Sequence, residues 1–406
     1  MARKHWISGI ALIIMFCGCS QPDTNSYLKK VIEKLEGIKT AEYHTRSMAW
    51  NPYDENPVYD LMYVRHEYDN PADTAVGVSY AWFMPNEGMR FEAGYDGKVR
   101  MLVYAEHKGI LIDDFTSEYS SQPYRLVSSP FFNMTRNILQ YALETTDSIV
   151  TDFVDEDSCY HFSMTIHEDE QVIFVGKPVR DPNTRPEWME YDPTSRYEVW
   201  IRKSDNLPYK HKRIMDTYTY SEECFNPIFN KLSLEDFNLY EYIPEDYEVR
   251  DYNSAKKTTQ EPNNMQDKPA PLWTLPDIED RPVSLADIKS KVVLLNFTGI
   301  GCGPCQQAVP FLKELKSKYA TEDLELIAIE SWGGSTSSRK AYSEKKALNY
   351  HFLGATEKVL QDYQTGTSVP RFFLLDKNRI IRKIFFGYSK ERTGKEIEEA
   401  IVSMLK

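Results

Sequence analysis

The 406-residue chain has no run of about 18 apolar residues, which excludes a multi-pass membrane protein. It is short of positive charge, with 48 Lys and Arg against 61 Asp and Glu and a formal charge of −13. Loss of residues 1–18 would remove Arg3 and Lys4 and no acid, so a processed chain is more acidic still. A nucleic-acid binder carries a basic footprint, and this chain lacks one. It has no second Cys-x-x-Cys beside Cys302 and Cys305, and His351 is the only histidine after residue 250. A structural zinc site needs two more ligands than that. No metal and no cofactor are expected, and no internal repeat or low-complexity tract is present. What remains is an ordinary globular balance, 41% hydrophobic and 27% charged, with room for two or three domains.

Residues 1–20 read as an address. Arg3 and Lys4 form a basic start, residues 6–16 are a short apolar stretch, and Gly18-Cys19 follows. That is the layout of an export signal, too short to span a bilayer. Its end resembles a bacterial lipobox, which implies cleavage before Cys19, acylation of that residue and anchoring of the chain. Phe16 and Cys17 depart from the usual pattern. The alternative is a simple cleaved signal. Either way the chain is expected in the bacterial cell envelope, facing the periplasm or exterior, where disulfides persist.

With Cys17 removed and Cys19 acylated, four cysteines remain as two candidate pairs. Cys302 and Cys305 form one. Cys159 and Cys224 form the other, either a structural disulfide or two separate thiols. The polar, proline-bearing stretch 251–270 reads as a linker. It divides the chain into a signal (1–18), a first domain (19–250) and a second (271–406).

The first domain opens with Leu28, Val31, Ile32 and Leu35 at helical spacing, capped by Asn25 or Ser26 and ended by Gly37. Strand-like runs follow at 58–66, 76–83, 89–95 and 98–105, the last two joined by Asp96-Gly97. Asn133 is placed to cap a helix to Glu144. Further strands are expected at 160–166, 197–203 and 209–216, with Tyr197, Val199 and Ile201 inward. His161 and His167, six apart on a strand and so roughly 20 Å from each other, cannot share a metal. The expected class is α+β, an antiparallel sheet with helices. This order, with Tyr95-Asp96-Gly97-Lys98-Val99 and residues 198–210, is similar to the lipoprotein-carrier fold, a half-barrel covered by helices. The resemblance implies a concave apolar face. Carriage of a hydrophobic ligand, with an accessory redox domain, is the alternative to a docking or spacer role.

The second domain carries chemistry. Residues 292–297 are continuously apolar, as in a strand buried on both faces. They lead through Thr298-Gly299-Ile300-Gly301 into Cys302-Gly303-Pro304-Cys305 and a helical pattern at Val309, Leu312, Leu315 and Tyr319. A thiolate at a helix N-terminus is stabilised by the unpaired N–H groups and the helix dipole, so its pKa falls from about 8.5 toward ~7 or below. Cys302 is expected as the exposed attacker and Cys305 as the more buried resolving thiol. Pro304 can start the helix because its missing N–H is not needed there. A strand at 324–329 follows, then helices from Ser337 or Ser338 and at 357–364. Residues 367–370, Thr-Ser-Val-Pro, precede strands at 371–375 and 380–386, and Thr393 with Glu396 suggests a capping box for a last helix.

Region 268–406 resembles the thioredoxin-like redoxins, specifically the membrane-tethered TlpA/ResA type. The matching residues are Ala270-Pro271-Leu272-Trp273-Thr274-Leu275, Pro282-Val283-Ser284-Leu285, Cys302-Gly303-Pro304-Cys305 and Val369-Pro370. The resemblance implies an α/β thioredoxin fold, a cis Pro370, and a Val369 backbone that pairs with an extended substrate beside the disulfide. It implies disulfide exchange with protein substrates and an upstream membrane thiol donor. Gly303-Pro304 matches the reducing members. Gly301 stands where relatives commonly have Trp. Asn296 and Ala308 stand where relatives have an acid that takes the proton of the second Cys. Glu330 is a substitute acceptor or a solvated acid. Thr298 lies four residues before Cys302, not three as a peroxidatic TxxC pattern requires.

Overall fold

The structure is a computed structural model, and it describes residues 23–116, 130–167, 172–174, 179–180, 194–251, 265–366 and 368–406. The stretch 1–18 read as an export signal, Cys19, residues 252–264 of the expected linker and Thr367 lie outside the described residues.

The N-terminal part begins with helix α1 (Thr24–Glu36), followed by strands β1 (Thr40–Trp50), β2 (Tyr59–Asp69), β3 (Val78–Met84), β4 (Arg90–Tyr95), β5 (Arg100–Tyr104) and β6 (Gly109–Asp113). Helix α2 (Phe131–Glu144) precedes β7 (Ile149–Asp155), β8 (Cys159–His167) and the short pair β9 (Val172–Ile173) and β10 (Val179–Arg180). Then come β11 (Thr194–Arg202), β12 (Pro208–Ile214), β13 (Thr219–Phe229) and β14 (Glu248–Asp251). Twelve of these strands form one sheet in the order β14-β6-β5-β4-β3-β2-β1-β13-β12-β11-β8-β7. Every pairing is antiparallel except β14 with β6. The expected α1 face is buried as read, with Leu28, Val31, Ile32 and Leu35 packed on Tyr43, Phe162, Tyr197, Val199 and Ile201. Phe131, Phe132, Ile138 and Leu139 of α2 join the same cluster, so the space between helices and sheet is filled.

Several local expectations are corrected. The cap of α1 is Asp23, whose carboxylate accepts from Ser26 N–H at 3.0 Å, not Asn25 or Ser26. Asn133 does not cap α2. The carboxylate of Glu67, on β2, accepts from the N–H groups of Phe132 (3.1 Å) and Asn133 (2.7 Å). β1 is absent from the sequence reading although it lies mid-sheet. Its inward positions Thr45 and Ser47 are polar because they receive the buried Arg65, which bonds Thr45 Oγ1 at 2.9 Å and Ser47 Oγ at 3.0 Å. Arg65 also pairs with buried Glu222 and stacks 4.0 Å over the Trp82 ring.

Cys159 and Cys224 are not bridged; both are free and buried. Cys159 pairs across to Arg202 of β11 and Cys224 to Thr45 of β1. Between their strands lie β11 and β12, so roughly 14 Å separates them, from the ~4.8 Å spacing of strands. A disulfide needs Cα atoms within about 7 Å. His161 stacks flat on Trp200 with ring centres 4.4 Å apart, an ordinary strand environment.

The C-terminal part adds the hairpin β15 (Thr274–Pro276) and β16 (Pro282–Ser284), then β17 (Val292–Thr298), α3 (Gly303–Lys318), β18 (Leu324–Glu330), α4 (Thr336–Lys345), β19 (His351–Gly354), α5 (Glu357–Asp362), β20 (Arg371–Leu375), β21 (Ile381–Phe386) and α6 (Lys395–Leu405). The five-stranded order is β19-β18-β17-β20-β21, with β17, β18 and β19 parallel and β20 antiparallel to β17. This is the thioredoxin-like fold. Val293, Leu295 and Phe297 pack on one side against Trp273, Leu285 and Tyr363. Val292 and Leu294 pack on the other against Leu312 of α3 and Ile397 of α6. Both faces of β17 are covered, which is why its sequence is apolar without alternation. Two boundaries differ from expectation. Ser335, not Ser337 or Ser338, caps α4. Thr393 lies inside a π-helical turn (Lys390–Gly394) that runs into α6, so no capping box forms.

Candidate active site

The site is assembled where β17 ends and α3 begins. Cys302 is the N-cap of α3 in extended conformation, and Pro304 occupies the first turn. Cys302 and Cys305 are joined by a disulfide with their Cα atoms 5.2 Å apart. The N–H of Cys305 points at Sγ of Cys302 at 3.2 Å, so the helix end presents a donor to this sulfur, as helix N-termini do to anions. Cys305 is 1% exposed, as a resolving thiol should be, but Cys302 is only 4% exposed and is not the open attacker expected.

The Val369–Pro370 peptide bond is cis, as the resemblance implies. The Val369 carbonyl oxygen lies 4.0 Å from Cys302 Sγ. Chain segments 302–305 and 368–370 therefore meet at one place. The Pro370 carbonyl accepts from Gly387 N–H at 2.9 Å, which ties this loop to the end of β21.

Glu330 is not a solvated acid. It ends β18 opposite Thr298 and is 1% exposed. Its carboxylate accepts from Trp332 N–H at 3.0 Å and Gly334 N–H at 2.7 Å. Burial raises its carboxyl above the usual range, while these N–H groups, the Ile300 N–H and Arg339 oppose the shift. Its oxygens are thus engaged in holding the loops after β17 and β18. Asn296 and Ala308 are both buried, and Asn296 Oδ1 has no hydrogen-bond partner among the described residues.

Two glycines before Cys302 leave space that neighbours fill, and the second explains the missing Trp at 301. A Cβ on Gly299 would stand 2.6 Å from Cδ2 of Trp332. A Cβ on Gly301 would stand 2.6 Å from the carbonyl oxygen of Thr217, in the N-terminal part. Trp332 and Thr217 escaped the sequence reading. For Thr217 the signal was Gly301, which stands where relatives commonly have Trp.

A family model described as AhpC/TSA family matches residues 267–384. The thiol-disulfide oxidoreductase ResA of Geobacillus thermodenitrificans is 32% identical over 133 residues, which is 32% of this chain and 75% of that protein. The chain belongs to the thiol-disulfide oxidoreductase family. The thioredoxin-like protein YneN of Bacillus subtilis is 30% identical over 134 residues, 32% of this chain and 76% of that one. Among solved structures, the thioredoxin domain of a thiol-disulfide oxidoreductase from Bacteroides vulgatus aligns at 20% identity and TM-score 0.30, covering 34% of this chain and 97% of that domain. A thiol:disulfide interchange protein from Chlorobium tepidum aligns at 20% identity and TM-score 0.31, covering 35% and 98%. Among the described residues the one disulfide is that of Cys302 with Cys305.

Proposed function

We propose that this chain exchanges disulfides with protein substrates through Cys302 and Cys305, working as a reductase from a lipid-anchored position in the bacterial cell envelope. The observation that carries the reading is the Cys302–Cys305 disulfide at the first turn of α3 with the Val369 carbonyl 4.0 Å from Cys302 Sγ. In the reduced form, Cys302 thiolate attacks one sulfur of a substrate disulfide lying along Val369 and Pro370. That S–S bond breaks, and the second substrate sulfur leaves as a thiolate that takes up a proton. Cys305 thiolate then attacks Cys302 Sγ and releases the first substrate sulfur. Two electrons have passed to the substrate, and the Cys302–Cys305 disulfide is left for an upstream membrane thiol donor to reduce. Gly303 and Pro304 support the reducing direction by their match to reducing thioredoxins. Arg3, Lys4, the apolar stretch 6–16 and Gly18-Cys19 support export and anchoring. The N-terminal domain is read as a docking domain, because the face under α1 and α2 is filled by side chains such as Leu28, Phe131 and Tyr197.

The test is the reduction potential of the pair in defined thiol/disulfide buffers. A value near about −270 mV places it with reductants, and one near about −120 mV makes it an oxidant and overturns the direction. A pair that does not titrate overturns the redox reading itself.

A further inference from the structure

Helix α4 is held at both ends by acids of the N-terminal sheet. At its start, Ser335 donates its hydroxyl to Asp54 Oδ1 at 2.6 Å, and Ser335 N–H reaches the same oxygen at 3.3 Å. A carboxylate at a helix N-terminus is favoured by the dipole. At the other end, Lys345 donates to Asp216 Oδ1 at 2.6 Å and its ammonium lies 5.5 Å from the centre of the Tyr53 ring. Asp216 and Tyr53 hold the Lys345 ammonium above its ordinary pKa range. Asp54 belongs to the connection between β1 and β2, and Asp216 to the tight turn between β12 and β13. Those two loops leave the same end of the sheet, because Trp50 pairs with Thr219.

Between the two anchors the loops reach the residue next to Cys302. Thr217 carbonyl oxygen occupies the space a side chain at 301 would need, and Pro52 Cδ would be 3.9 Å from such a Cβ. Val369 stands on another side of Cys302, and Trp332 covers Gly299. Cys302, whose sulfur is expected to attack, is left 4% exposed as a residue. The contact is also incompletely satisfied. Asn51 Nδ2 and Asp54 Oδ2 are buried without a hydrogen-bond partner among the described residues, so separation would return two polar atoms to water. A tight seat beside the redox pair, fixed by two polar anchors and leaving polar atoms unmet, is the construction of a contact that opens.

We propose that loop 52–54 and turn 215–218 form a cap, fastened by Asp54 and Asp216 to α4 and seated on Gly301, that determines which disulfides reach Cys302. Small disulfides pass it. A folded protein substrate reaches the sulfur only when the cap lifts. The proposal rests on the redox reading above and names a specificity element for it.

The experiment uses the full chain, reduced beforehand, with two probes: the small disulfide 5,5′-dithiobis(2-nitrobenzoic acid) and insulin. The variant Asp54→Ala/Asp216→Ala removes both anchors and touches neither sulfur. Insulin reduction is expected to rise about tenfold, the shift in a closed–open equilibrium from losing roughly one charge-assisted hydrogen bond net, with the rate on the small disulfide unchanged. Gly301→Ala, which forces the Thr217 carbonyl away, is expected to raise the insulin-to-small-disulfide ratio in the same direction. If the ratio stays at the wild-type value in both variants, or falls, the cap does not select substrates and the proposal is overturned. If the wild type reduces neither probe, the redox reading fails first, which is a different result from an unchanged ratio in an active enzyme.

Discussion

The carbonyl oxygen of Val369 stands 4.0 Å from Sγ of Cys302, so the backbone that would hold an extended substrate and the sulfur that would attack it share one wall. The arrangement assigns different fates to the two cysteines. Cys302→Ser is expected to abolish exchange. Cys305→Ser is expected to accumulate mixed disulfides, visible as substrate adducts on non-reducing gels. Wild-type turnover in either variant would remove that cysteine from the mechanism.

Gly299 gives up its side-chain space to Trp332. An alanine there would place Cβ 2.6 Å from Cδ2 and 2.7 Å from Cε3 of the indole. Gly299→Ala is expected to displace the ring and to cost about 1–3 kcal/mol, the usual penalty of overpacking. The urea midpoint and the near-ultraviolet circular dichroism should both change. A midpoint equal to wild type would mean the ring swings aside freely.

Glu330 carries a pH signature. Burial raises its carboxyl above the ordinary value of 4.5. The folded state therefore keeps this proton to higher pH than the unfolded chain does. Its contribution is complete below 4.5 and is lost as pH rises through the raised folded value. Glu330→Gln should remove that slope from urea midpoints measured from pH 4 to 8. It should also lower stability by about 1–3 kcal/mol at pH values above the raised folded value, where Glu330 is ionised, because one amide oxygen replaces two carboxylate oxygens as acceptor for the loop N–H groups.

Glu222 behaves in the opposite sense. Burial alone would raise its carboxyl, but Arg65, His211 and Ser47 outweigh burial and hold it at about 2 against an ordinary 4.5. The stability it supplies is present above pH 4.5 and is lost as pH falls toward about 2. Glu222→Gln should flatten that acid limb. At neutral pH it should cost about 3–5 kcal/mol, since Arg65 would be left buried without its partner. An acid limb as steep as wild type would show that other carboxylates carry it.

The redox half was largely legible before the structure. The uninterrupted apolar run of β17, the Cys-x-x-Cys at its end and the helical spacing after it are local patterns, and local patterns survive folding. The N-terminal half was legible where one face is apolar, as in α1 and β11. It was not legible in β1, whose inward Thr45 and Ser47 serve the buried Arg65 from a neighbouring strand. Nor was it in the cap of α2, supplied by Glu67 more than sixty residues away in the chain.

The order of residues by itself determined the Cys-x-x-Cys pair, its place at a strand-to-helix junction and the two-part organisation, because each depends on neighbours within a few turns of chain. Only the tertiary structure decided that Cys159 and Cys224 stay apart, that Glu330 is buried, and that Asp54 meets Ser335 across 281 residues. Those outcomes depend on which strands become neighbours and which loops share an end of a sheet. No period in a sequence records that, since a contact between distant segments costs chain entropy and is repaid only when the whole sheet has formed around it.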